Sequence, residues 1–119
     1  MKEVVVVCQR EVVEWAGTLS GMINAAVGED AVHVEVVDSD DVGGIKEPPD
    51  AVFFTSIRGG GLEMAERFHQ EHPDCRVFAL TAHPRYIDEK PAPPFHPGEV
   101  MMVSKVLLDM DFLRALLGD

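Results

Sequence analysis

Pro49–Met64 reads PDAVFFTSIRGGGLEM, and the fold is decided by how these residues are read. Ala51–Phe54 is a short apolar run between a Pro-Pro-Asp stop and a polar turn, the pattern of a central strand buried on both faces. Thr55 and Ser56 leave that strand, Arg58, Gly59, Gly60 and Gly61 turn the chain, and Leu62 opens an amphipathic run. A helix that starts this way points its free N–H groups back toward the strand end. In an α/β protein that is where sites are built, so function is expected at this loop.

Upstream, Val4–Val7 is a continuous β-branched run, again a strand covered on both sides. From Glu11 the period changes: Val12, Ala16, Leu19, Ile23 and Ala26 form one apolar helical face, which Gly28 ends. Val32, Val34 and Val36 alternate with His33 and Glu35, as in a half-exposed edge strand. Ser39–Asp50, SDDVGGIKEPPD, has room for a turn or two of helix at most, and Asp38, Asp40 and Asp41 read as a solvated strand end.

Downstream, Leu62, Ala65, Phe68 and His72 mark a second helix closed by Pro73 and Asp74, and Val77–Leu80 marks a fourth strand. Pro84, Pro91, Pro93, Pro94 and Pro97 remove backbone donors and make the stretch between them mostly loop. Val100–Val103 reads as a fifth strand. Val106, Leu107, Met110, Leu113 and Leu117 then form the apolar face of a last helix.

Strands alternating with helices predict one domain over residues 1–119, an α/β three-layer sandwich. Its five-stranded parallel sheet takes the flavodoxin-like order 2-1-3-4-5, with helices 2 and 4 short or replaced by loops. The C-terminal strand ends then converge, bringing together Cys8 and Gln9, Thr55 and Ser56, Thr81, and Lys105.

The formal net charge of -11 repels a phosphate backbone or an anionic bilayer, so neither nucleic acid nor membrane is an expected partner. Cys8 and Cys75 give neither a zinc signature nor a disulfide framework. The N-terminal valine run is too short for a signal peptide or a membrane span, so a reduced, cytoplasmic protein is expected. His69 and His72 share a helix without an evident third ligand, and read as packed or solvated rather than metal-binding. No cofactor is expected.

The opening KEVVVV, PDAVFFT…GGGLEM and VFALTAH resemble a response-regulator receiver domain of the CheY-like kind over nearly the whole chain. In that family strand 1 ends in two acidic residues and strand 3 in the phosphate-accepting aspartate. Strand 4 ends in Thr or Ser followed by Ala, and strand 5 leads to a lysine. The matching positions here are Cys8 and Gln9, Thr55, Thr81-Ala82 and Lys105. Thr81, Ala82 and Lys105 fit; every acidic position is missing. Met102 stands where an aromatic is common, Val106 follows Lys105 where proline is usual, and the loop after Thr55 is shortened.

Phosphoryl transfer to a carboxylate needs an in-line nucleophile and a Mg²⁺ held by carboxylate oxygens. Cys8, Gln9 and Thr55 supply no carboxylate. The resemblance therefore implies a degenerate receiver that is not an enzyme: a pseudo-receiver acting as a signalling or adaptor module. Its expected partner is another signalling protein, one linked to a histidine kinase or to motility. The loop from Pro84 to Pro97 and the last helix are the expected contact surface, and the same face would serve a homodimer.

A reading of another class uses Cys8 as a phosphocysteine, or the Arg58–Gly61 loop to hold a small anion or nucleotide on its amides. Against the first, the residues after Cys8 contain no glycine or serine and two glutamates. Against the second, glycines at strand-to-helix turns are common for steric reasons, and no complete nucleotide fingerprint is present.

Overall fold

The computed structural model describes residues 2–9, 13–45, 47–55, 61–81, 100–104 and 110–117. The strands are β1 (Lys2–Cys8), β2 (Val32–Asp38), β3 (Ala51–Phe54), β4 (Arg76–Thr81) and β5 (Val100–Ser104). The helices are α1 (Val13–Val27), α2 (Gly61–Glu71) and α3 (Met110–Leu117), with a 3-10 turn over Ser39–Gly44. The sheet has five strands in the order β2-β1-β3-β4-β5, and every neighbouring pair is parallel. The flavodoxin-like order expected from the sequence is the one observed. The second crossover carries the 3-10 turn in place of an α-helix, and the fourth crossover lies outside the described residues.

Val4, Val5, Val6 and Val7 are all buried, which explains a run without polar alternation. Alternate side chains still divide between two cores. Val4, Val6, Ala51, Phe53, Phe78 and Leu80 pack with Leu19 and Ile23 of α1 and with Leu113 and Leu117 of α3. Val5, Val7, Val52, Phe54, Val77 and Ala79 pack with Ala65 and Phe68 of α2. Phe53 and Phe78 stack at 4.8 Å between centroids in the first core, and Phe54 meets Phe68 edge-on at 5.8 Å in the second.

Gly28 stops α1 with φ 106°, a conformation that costs a residue with a Cβ; its N–H donates to the Asn24 carbonyl at 2.8 Å. Cations tie off the helix ends. Arg114 Nε donates to the Ala26 carbonyl in the last turn of α1 at 2.8 Å, and Lys2 Nζ donates to the Leu117 carbonyl at the end of α3.

Strands β1 and β4 extend beyond the apolar residues that mark them in the sequence. Lys2 pairs with Val32 and Arg76 with Ala51, so the ladder sets their length. Met110, expected on the apolar face of the last helix, is 39% exposed. At 100° per residue it lies about 40° round from the midline of Leu113 and Leu117, on the face that reaches the core, but it is the first residue of α3. Val106 and Leu107 lie outside the described residues.

Candidate functional site: the C-terminal edge of the sheet

Register brings the sequence-predicted strand ends to one edge. Val7 lies beside Phe54, Phe54 beside Ala79, and Thr81 beside Ser104. The Thr55 amide continues the ladder beyond β3 by donating to the Val7 carbonyl at 2.9 Å. Cys8, Gln9, Thr55 and Thr81 therefore meet along this edge, as expected from the 2-1-3-4-5 order. Lys105 directly follows β5 in sequence but lies outside the described residues, as do Ser56, Arg58, Gly59 and Gly60. Gly61 is the first residue of α2.

Cys8 shares the phase of Val4 and Val6, so its side chain joins the core beneath α1 and α3 and is 1% exposed. Burial raises the thiol's pKa, and the nearby negative charge of Asp38 raises it further. The thiol is thus protonated at neutral pH and shielded from solvent, whereas nucleophilic chemistry needs a thiolate within reach. Thr55 is also enclosed, at 1% exposure. No buried side-chain nitrogen or oxygen lacks a hydrogen-bond partner among the described residues. Gln9 is half-buried at the end of β1.

The nearest described carboxylate in the ladder is Asp38, beside Cys8 in the register. The sequence reads Asp38 as part of a solvated strand end; in the structure it is half-buried and structural. Its Oδ1 accepts the Asp40 amide at 2.9 Å and caps the 3-10 turn. The signal was present as Asp-Ser-Asp, since an aspartate readily accepts the amide two residues on. Among the described residues, no three His, Cys, Asp or Glu side chains converge as a metal ion requires. His72 packs its ring on Phe68 at 4.6 Å between centroids.

The chain has the fold of the response-regulator receiver domains, a flavodoxin-like sheet in CheY-like order. One solved structure that shares it is the response regulator protein TrrA from Thermotoga maritima, in complex with Mg2+-BeF. It has a TM-score of 0.59 and 16% identity, over 98% of this chain and 100% of that one. A two component transcriptional regulator AraC from Clostridium phytofermentans ISDg has a TM-score of 0.59 and 19% identity, over 98% of this chain and 92% of its own. The BeF3-activated DrrB receiver domain has a TM-score of 0.58 and 15% identity, over 97% and 93%. No protein-family model and no curated protein matches the sequence.

Proposed function

We propose that the chain is a receiver-fold signalling module that acts by binding another protein and takes no phosphoryl group at its sheet edge. One observation carries this reading: the ends of β1 and β3 present Cys8, Gln9 and Thr55, with no carboxylate among them. Mg²⁺ binding and acyl-phosphate formation both depend on carboxylate oxygens. Asp38, the closest acidic side chain in the ladder, is occupied in capping a turn. What the fold retains is a five-stranded parallel sheet with helices packed on it, which suits a partner-binding role in a two-component pathway rather than catalysis.

The module is proposed to work in the cytoplasm. Among the described residues, no helix is long and apolar enough to cross a membrane. One structural neighbour is a transcriptional regulator, but a net charge of -11 opposes approach to DNA phosphates, so direct DNA contact is not proposed. The expected contact loop from Pro84 to Pro97 lies outside the described residues. The phosphocysteine alternative is weakened by the burial and raised pKa of Cys8.

Beryllofluoride adds to a carboxylate much as a phosphoryl group does, so titration with Mg²⁺ and beryllofluoride tests the reading. The expected result is an unchanged amide NMR spectrum and melting temperature. Saturable shifts at the ends of β1, β3 and β4 would overturn it.

A further inference from the structure

The crossover from β2 to β3 passes over β1 and uses only residues 39–50, with a 3-10 turn where a covering helix would lie. It leaves a groove of about 650 Å³ between β1, β2 and the segment leading to β3. Five acidic side chains line it: Glu3, Glu35, Asp38, Asp41 and Glu47. No lysine or arginine among the described residues does so, although Lys46 of the same crossover lies outside them. Val5, Val37 and Ile45 add apolar lining.

Glu35, Val36, Val37 and Asp38 are consecutive, and all four line the groove. Glu35 and Val37 face the same side of the sheet as Val5 and Val7, their partners in the register, so the groove lies on that face directly beside the outer strand β2. Among the described residues, β2 pairs only with β1, so its outer edge has no neighbouring strand. Val36 is 37% exposed there. An open sheet edge offers unpaired backbone groups to any extended chain. The carboxylates decide which chain. A second copy would bring like charges together along the shared edge, which disfavours self-pairing.

We infer that the outer edge of β2, with the acidic groove beside it, binds an extended segment of a partner protein in which basic and apolar residues alternate. Main-chain hydrogen bonds to β2 supply the pairing, alternate apolar side chains meet the valines, and alternate basic ones meet the carboxylates. This rests on the reading that the module works by binding protein.

A fluorescein-labelled peptide of alternating lysine and valine serves as the probe, with an alternating glutamate–valine peptide as its counterpart. Both are titrated against the full chain by anisotropy, with amide shifts read by NMR. The expected result is saturable binding of the basic peptide alone, with the largest shifts at Val32–Asp38. Binding weakens by roughly tenfold in Glu35→Lys/Asp41→Lys, and changes little in Glu66→Lys/Glu71→Lys, which has the same net charge. NMR spectra of both variants check that the fold is kept.

The inference is overturned by absence of binding, by equal weakening in the two variants, or by shifts centred elsewhere. Self-association through β2 without peptide also overturns it. Capture of beryllofluoride at the strand ends, by contrast, would remove the parent reading and leave peptide binding to be judged separately.

Discussion

The two faces of the sheet are built from the same strands but finished differently. Under α1 and α3, Phe53 stacks on Phe78, and Leu19, Ile23, Leu113 and Leu117 enclose them. On the other face, among the described residues, α2 supplies Ala65 and Phe68, and the 3-10 crossover adds the half-buried Val42 and Ile45. Among the described residues, two helices cover one face, and the other carries one helix and an acidic groove beside the outer strand β2. The difference teaches that a crossover too short for a helix leaves a groove on the sheet where a helix would otherwise pack.

Adjacent phenylalanines in β3 give the largest test of this contrast. Phe53→Ala empties the closed core and is expected to cost about 4–5 kcal/mol in urea denaturation. Phe54→Ala, on the thinner face, should cost about 3 kcal/mol, because that site collapses or hydrates more readily. Equal losses would break the contrast.

Where α1 stops matters next. Gly28→Ala forces a Cβ into φ 106° and should cost about 1–2 kcal/mol, measured the same way. Gly17→Ala and Gly21→Ala should have the opposite sign. An added Cβ meets nothing within 4 Å at either position, and each change is expected to stabilise the protein by about 0.5–1 kcal/mol.

The cysteines provide the smallest and most selective readout, one in each core. With a thiol reagent at pH 8 both should react slowly, Cys75 through local opening of the thinner face and Cys8 only with global unfolding. Burial, reinforced by Asp50, pushes the Cys75 thiol from 9.0 to about 12. The unfolded chain therefore loses this proton first, and stability from this group, intact below pH 9, falls as pH rises toward 12. Alkaline denaturation curves of the wild type and Cys75→Ala should differ in that window.

Much of this architecture was legible because local signals agreed with the global fold. Prolines and an apolar run bound β3 at Ala51–Phe54 as read, and Gly28 ends α1 as read. The full reach of β1 and β4 was not legible, because pairing partners rather than apolarity extend strands through Lys2 and Arg76. Burial of Cys8 as a structural thiol was legible, but which core it enters was not, for a related reason. A strand covered on both sides has no polar alternation to show which core each residue enters. Asp38 looked like one of several solvated carboxylates because its bond to the Asp40 amide depends on backbone geometry at the turn.

Intact-mass spectrometry after incubation with acetyl phosphate and Mg²⁺ tests most directly whether this receiver fold lacks receiver chemistry. The account predicts that the full chain keeps its unmodified mass. A stable gain of one phosphoryl group, mapped to a carboxylate at the C-terminal edge of the sheet, would contradict it.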